Sequence, residues 1–162
     1  MKLTERHIIR KNNKDWKEID NICFLSKNLY NSALFYIKTY YKETGKFIRY
    51  NDLEREFKLN NQPDYRALPI ASSQQILMLV DKMLITFFKL LSKWKKDKSV
   101  SGCPKFPSYK DKIKGRFVVP FTYSQFQIKN GELKFPKRSK IEEILKTNVT
   151  SLKQVRIIPQ SS

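Results

Sequence analysis

The residues best suited to chemistry in this chain are the lysines and aromatic residues that alternate between Ser101 and Pro136. Basic side chains neutralise phosphates, and exposed aromatic rings stack on bases. Tyr109 and Tyr123 are the stacking candidates, because tyrosine hydroxyls favour a wet edge whereas phenylalanines more often fill a core. The candidate phosphate-binding residues are Lys93, Lys95, Lys96, Lys98, Lys105, Lys110, Lys112, Lys114, Arg116, Lys134, Lys137 and Arg138.

The charge of the chain supports an acidic partner. Thirty-three Lys and Arg against 15 Asp and Glu give a net charge of +18 on 162 residues. Between Lys89 and Lys140, 15 basic residues face three acidic ones, so two thirds of the excess lies in one third of the chain. A clustered field steers a polyanion, although a solvated lysine-rich surface is the simpler alternative.

Residues for catalysis are few. His7 is the only histidine and lies beside Ile8 and Ile9 in an apolar run, which favours a structural or surface role. The acidic residues fall at spacings ordinary for capped helices, and four glycines leave no room for a phosphate-binding loop. We therefore expect no catalytic residue, no metal site and no cofactor.

The composition also predicts the compartment. A hydrophobic fraction of 40% is enough to build a core, and no apolar run is long enough to span a membrane. The N-terminus has no signal-peptide pattern. Cys23 and Cys103 lack metal-ligand spacing and are predicted to be free thiols. These features favour a cytoplasmic protein.

The first hundred residues have helical periodicity. Apolar residues at three- and four-residue steps predict a helix over Lys14 to Thr44, ended by Gly45. A short helix is expected with Asn51 as its N-cap, a break over Asn60 to Pro69, and a third helix from Ser72 through Trp94.

Both ends of the chain have strand patterns instead. Asn130-Gly131 is a strong hairpin signal, and Ser139 to Lys146 predicts a short helix. Because an N-terminal strand needs partners, the sequence predicts an α+β fold in which both ends form a small β-barrel (residues 1–11 and 101–162) around a helical insertion (12–100). The predicted strands are Lys2 to Arg10, Arg116 to Pro120, Gln125 to Lys129, Glu132 to Phe135 and Leu152 to Pro159.

Four segments in order resemble the N-terminal region of the OrfB/TnpB proteins of insertion sequences, which are RNA-guided nucleases related to type V CRISPR effectors. The resemblance covers nearly the whole chain. The closing QVRIIP is similar to the strand that follows in that family. The four segments are LYNSALFYIKTYYKETGKFIRY (29–50), SSQQILMLVDKMLITFFKLL (72–91), GCPKFPSYKDK (102–112) and FTYSQFQIKNGELKFPK (121–137).

The resemblance implies a WED-like barrel interrupted by a REC-like three-helix insertion. In the family these parts bind the guide RNA scaffold and read a short motif beside the DNA target, while base pairing supplies the remaining specificity. The matching motif-reading positions are Tyr50, Gln74 and Thr122. Some relatives carry a lysine where this chain has Ile70, which leaves the motif itself open.

The resemblance also implies what the chain lacks. Relatives continue into a RuvC nuclease and a zinc ribbon, and neither has a counterpart in these residues. The implied protein is a prokaryotic, nucleoid-associated recognition lobe that binds guide RNA and double-stranded DNA, without membrane contact and without nuclease activity of its own. A separate nuclease chain is one further partner. The alternatives are a stand-alone sequence-specific DNA-binding regulator and a scaffold domain whose apolar helices pair with another subunit.

Overall fold

The computed structural model describes residues 4–99 and 102–160, which form a mixed α+β fold. Four helices come first: α1 (Trp16–Thr44), α2 (Tyr50–Leu59), α3 (Pro63–Arg66) and α4 (Ile70–Lys96). Five short strands and one turn of 3₁₀-helix (Lys137–Ser139) follow. The strands are β1 (Val119–Thr122), β2 (Gln127–Lys129), β3 (Glu132–Lys134), β4 (Ile144–Lys146) and β5 (Gln154–Ile157).

The predicted long first helix is confirmed to within two residues. Its apolar face is buried, and it ends where Gly45 adopts a left-handed φ of 70° and donates its N–H to the carbonyl of Tyr41. A left-handed residue at this place is favourable for glycine because no Cβ clashes. At the other end Asn13 lies just before the helix, and its Oδ1 accepts from the N–H of Asp15 at 2.8 Å.

The other helices begin earlier than predicted. Helix α2 starts at Tyr50 instead of after Asn51, and α4 starts at Ile70 directly after Pro69. Ser72, where this helix was predicted to begin, is buried inside the first turn of α4. The predicted break between them contains α3, where the Gln62 side chain accepts from the N–H of Tyr65 and Pro occupies the first turn. Tertiary packing thus decides these helix starts.

The strands form two antiparallel sheets. One pairs β1 with β5, with Val119 opposite Ile157 and Thr122 opposite Gln154. The other has the order β2-β3-β4. The predicted hairpin is confirmed at Asn130-Gly131, whose φ angles of 53° and 72° are those of a tight two-residue turn. Neither sheet closes on itself within residues 4–99 and 102–160, so the closed barrel stays a prediction.

Two strand predictions are corrected. Arg116 to Pro120 was expected to be a strand, but β1 begins at Val119 because the preceding main chain bonds to α1 instead. Residues 4–10 form no strand, and the rest of the predicted Lys2 to Arg10 strand lies outside the described residues. Here Glu5 bonds through its side chain to His7 and Thr147. One edge of β1, a strand with which these residues could have paired, is occupied by β5.

The short helix predicted over Ser139 to Lys146 is also wrong. The chain makes one 3₁₀ turn ending at Ser139, and Lys140 then takes a left-handed φ of 59° that stops helical structure. Residues Ile144–Lys146 instead form β4, in which Leu145 faces Leu133 of β3. Packing of the half-buried Leu145 on the buried Leu133 explains why pairing prevails over the local capping pattern.

One hydrophobic core unites helices and strands. Helix α1 packs along α4, and β1 lies on α4, so that Val119 and Phe121 are buried in the same cluster as Leu34 and Val80. None of the helices within the described ranges is long and apolar enough to cross a membrane. The shared core fixes the position of everything that follows β1 relative to the helices.

Candidate nucleic-acid interface

Residues 108–118, named here the basic loop, lie along α1 and are held there through their main chain. The Ser108 carbonyl accepts from the Tyr30 hydroxyl at 2.9 Å, and Asn31 both donates to and accepts from the backbone of Lys110, at 3.0 and 2.9 Å. Further along, the Cys23 carbonyl accepts from the Phe117 N–H at 3.1 Å, and Ser26 donates to the Val118 carbonyl at 2.7 Å.

A tight turn shapes the centre of the basic loop. The Asp111 carboxylate accepts from the N–H groups of Ile113 and Lys114, at 2.8 and 2.6 Å, and these bonds lower its pKa. Gly115 closes the turn by donating to the Asp111 carbonyl at 3.1 Å. A Cβ at Gly115 would lie 2.3 Å from that carbonyl oxygen, so the turn requires glycine.

The lysines of the basic loop remain exposed. Because α1 binds the main chain, the side chains of Lys110, Lys112 and Lys114 face solvent, as does Ile113, which is 77% exposed. A backbone fixed on one side with cations on the other is a preorganised arrangement for contacting phosphates. A loop that is already ordered on folding has a lower entropic cost for any later association.

A buried lysine lies beneath the loop. Lys27 of α1 is almost fully buried, and its Nζ donates to the carbonyl of Lys112 at 2.6 Å and lies 3.9 Å from the ring centroid of Phe24. Burial lowers the pKa of Lys27, with Arg116 contributing in the same direction. Lys27 therefore binds the loop and is not available to a ligand.

Arg116 was predicted to contact phosphate, but it forms part of the fold. Its Nε and Nη2 donate to the two carboxylate oxygens of Asp20 on α1, at 2.8 and 2.7 Å. Its Nη1 donates to the carbonyls of Ile113 and Gly115. Four hydrogen bonds within the chain occupy most of the guanidinium, and the ion pair raises its pKa. Arg116 is better explained as a further anchor of the basic loop.

The lysine cluster at the end of α4, defined as Lys93, Lys95, Lys96 and Lys98, is held differently. All four residues are exposed on the last turn and just beyond it. Lys98 lies over the Trp94 ring at 5.4 Å, and Asp97 accepts from the N–H and hydroxyl of Ser99. Cations at a helix C-terminus also favour the helix dipole, so this cluster has a structural explanation besides binding.

The remaining predicted phosphate contacts lie around the β2-β3-β4 sheet. Lys134 on β3, Lys137 in the 3₁₀ turn and Arg138 are exposed, as is Lys105 before the basic loop. Arg138 donates to the carbonyl of Arg66 at 2.7 Å, which ties the turn to α3. The basic residues are thus distributed over several surfaces and do not form one patch of uniform density.

Two of the predicted motif-reading residues lie near Glu54 of α2, and one of them bonds to it. The Gln74 Nε2 donates to the Glu54 carboxylate at 3.4 Å, and the buried Tyr65 hydroxyl donates to the same oxygen at 2.6 Å. Tyr50 lies one helical turn before Glu54, and its pKa is raised by partial burial and by that carboxylate. The bond from Tyr65 lowers the pKa of Glu54.

Thr122 joins the same region through Gln125. The Gln125 Oε1 accepts from the N–H of Thr122 at 2.9 Å, and its Nε2 donates to Ser72 on the first turn of α4 at 3.1 Å. A further link runs from Gln154 of β5 to Gln75 at 3.5 Å. The first turn of α4 therefore makes separate polar contacts, with α2 through Gln74 and with the end of β1 through Ser72.

The two stacking candidates differ in their surroundings. Tyr123 follows β1 and is 75% exposed. Tyr109 belongs to the basic loop, and the ammonium of Lys38 lies 4.2 Å from its ring centroid. Lys38 is not among the predicted residues because it lies on α1, far along the chain from the lysine-rich stretch. Its position in the helical repeat is the only signal that would have found it.

No group of three or more His, Cys, Asp or Glu side chains could hold a metal ion among residues 4–99 and 102–160. A scan against protein-family models finds no match to this chain, and a search of curated proteins finds no significant match.

Proposed function

We propose that this chain is the nucleic-acid recognition lobe of an RNA-guided, transposon-associated DNA endonuclease and has no nuclease activity of its own. The observation that carries the proposal is the basic loop, whose main chain is bound by α1 while three lysine side chains remain exposed. A net charge of +18 adds long-range attraction for a polyanion. In this proposal the partners are a guide RNA and double-stranded DNA in a prokaryotic cytoplasm, with a separate nuclease chain as a further partner.

The motif-reading role of Tyr50, Gln74 and Thr122 is part of the same proposal. Its support is that Gln74 bonds to Glu54 of α2, and that Thr122 is joined through Gln125 to Ser72 on the first turn of α4. A glutamine amide pairs with adenine through two hydrogen bonds, and hydroxyl groups pair with several bases. Glu54 accepts one N–H of Gln74, which leaves the amide oxygen and the second N–H for a base edge.

The barrel belongs to this proposal as well. The β1-β5 sheet and the β2-β3-β4 sheet are its candidate walls, both joined to the common core. The WED-like barrel of the proposal requires a further strand to connect them. Hydrogen exchange on the protein bound to its RNA would test this, because new protection along the edge strands β2 and β4 is expected where a further strand pairs with them.

The motif-reading role can be tested by selection from duplexes that carry a randomised segment. We expect Gln74→Ala to relax the preference at one or two positions, at about 1 to 3 kcal/mol of lost discrimination. The matched control is Gln75→Ala, the neighbouring glutamine, which bonds to Gln154 and Met78 instead. The salt dependence of binding is expected to stay unchanged in both variants, since neither removes a charge. Equal base preferences in wild type and Gln74→Ala would contradict the assignment.

The alternative function is a stand-alone DNA-binding regulator. The two functions differ in whether sequence-specific binding requires RNA. The leading proposal predicts RNA that copurifies with the protein and is needed for sequence-specific duplex binding. Ribonuclease treatment before the selection is therefore expected to abolish the preference. Tight binding to one duplex sequence by RNA-free protein would favour the regulator.

A further inference from the structure

An open aromatic cleft lies beside the basic loop. Its volume is about 390 Å³, at the lower end of the range of small-ligand sites. It is formed by α1, α2, the turn before α3, and Tyr109 of the basic loop. The lining residues are Asn31, Ser32, Phe35, Tyr36, Phe57, Gln62 and Tyr109.

Two aromatic rings of the cleft are accessible. Phe35 is 65% exposed on α1, and Tyr109 is 46% exposed. The Tyr109 backbone is fixed on both sides, because Tyr30 binds the carbonyl of Ser108 and Asn31 binds the main chain of Lys110. A ring held in this way loses little conformational freedom when a ligand stacks on it.

Cations flank the aromatic cleft on the side of the basic loop. The Lys38 ammonium lies 4.2 Å from the Tyr109 ring centroid and 5.3 Å from that of Phe106, and Lys110 directly follows Tyr109. Aromatic faces beside lysines suit a ligand that has a flat apolar ring and a phosphate. A base inside a duplex is paired and stacked on both faces, so only an unpaired nucleotide fits such a cleft.

The amides of the cleft are already used within the chain. Asn31 bonds to Lys110 through both its oxygen and its nitrogen. The Gln62 oxygen accepts from the Tyr65 N–H, and its nitrogen donates to Asp64. These bonds fix both amides and leave each with only one N–H and one oxygen lone pair, so stacking is the main contribution. Recognition by stacking is tolerant of sequence.

We propose that the aromatic cleft binds one unpaired nucleotide of a single-stranded nucleic acid, with the base against Tyr109 and Phe35 and the phosphate beside Lys38 and Lys110. This inference rests on the proposed nucleic-acid binding and adds a site to it. Single-stranded RNA and DNA share the chemistry, and both serve as probes below.

The test uses single-stranded decamers, one DNA and one RNA, each with a central 2-aminopurine whose fluorescence falls when it stacks. We expect quenching with the wild-type protein. Tyr109→Ala and Phe35→Ala are each expected to weaken binding about 5- to 150-fold and to remove the quenching, while the salt slope stays the same. Tyr109→Phe retains the ring and is expected to bind as the wild type does.

The matched control is Tyr41→Ala. Tyr41 is 44% exposed, close to the exposure of Tyr109, but it stacks on Phe47 and does not line the cleft. Circular dichroism verifies that each variant folds. If Tyr109→Ala and Phe35→Ala bind as tightly as Tyr41→Ala while the salt slope stays steep, the cleft inference alone is overturned. If no decamer binds the wild type, both the inference and the proposed function fail.

Discussion

The basic loop and the lysine cluster at the end of α4 carry similar charge on very different supports. Main-chain atoms of the loop are bound by Tyr30, Asn31, Ser26 and Lys27 of α1. The Cα positions of its lysines are therefore fixed. In the lysine cluster, the backbone makes its hydrogen bonds within α4, and the long side chains extend into solvent.

The comparison separates two ways of using lysine. A cation on an anchored loop can contact a particular phosphate, because its Cα position is fixed before binding. A cation at a free helix end contributes mainly to the field that attracts a polyanion, and this contribution is screened by salt. Under the proposed function, the loop would set the register of the nucleic acid and the cluster would raise the rate of encounter.

Among substitutions that disturb the basic loop and not the lysine cluster, Gly115→Ala is expected to have the largest effect on stability. The new Cβ would lie 2.3 Å from the Asp111 carbonyl oxygen, so the turn of the basic loop must shift. We expect a loss of about 1–3 kcal/mol in the free energy of unfolding, measured by urea denaturation. Gly102→Ala is the control, since nothing lies within 4 Å of its added Cβ. Equal stabilities of the two variants would show that the turn is not tightly packed.

A smaller effect is expected from Tyr30→Phe, which removes one anchor of the loop. The ring keeps its packing against Phe117, but the hydrogen bond to the Ser108 carbonyl is lost. The expected cost is about 0.5–1.5 kcal/mol of unfolding free energy. Tyr36→Phe is the matched control, because that hydroxyl makes only a long bond of 3.5 Å to Glu56. A larger loss in the control than in Tyr30→Phe would argue against the anchor.

The reactivity of the two cysteines tests whether the loop stays attached to α1, and it requires no substitution. Cys23 lies on α1 where its carbonyl binds Phe117, and burial raises the pKa of its thiol to about 12. Cys103 is exposed. Since the thiolate is the reactive form, iodoacetamide is expected to modify Cys103 but not Cys23 at pH 8, and raising the pH to 10 is expected to leave Cys23 protected. Mass spectrometry checks the pattern. Rapid modification of native Cys23 would mean that the loop detaches.

Much of the fold was predictable from local patterns. The periodicity of α1 and the Asn130-Gly131 turn depend on neighbouring residues, and both are confirmed. The pattern at Ser139 failed because β4 gains a partner in β3, and the strand expected from Arg116 failed because its backbone bonds to α1. These outcomes depend on contacts between residues 10 to more than 90 positions apart, which a local pattern does not contain.

The site was predictable in its residue types but less so in its geometry. The lysines of the basic loop are exposed as expected, yet Arg116 has the same charge and is engaged by Asp20, 96 positions away. The contact of Lys38 with Tyr109 and the aromatic cleft both form only because α1 and the basic loop lie side by side in the fold. Composition identifies candidate cations, and only the tertiary structure separates those that anchor the fold from those available to a ligand.

The central claim is tested most directly by nucleic-acid binding over a salt series. For about 6 to 10 phosphate contacts, the plot of log affinity against log salt is expected to have a slope of about −5 to −9. Replacing Lys110, Lys112 and Lys114 by Gln is expected to reduce that slope by about 2.7, and replacing Lys93, Lys95 and Lys96 by Gln is expected to reduce it less. A wild-type slope near zero, or a larger loss from the helix-end variant, would contradict the account.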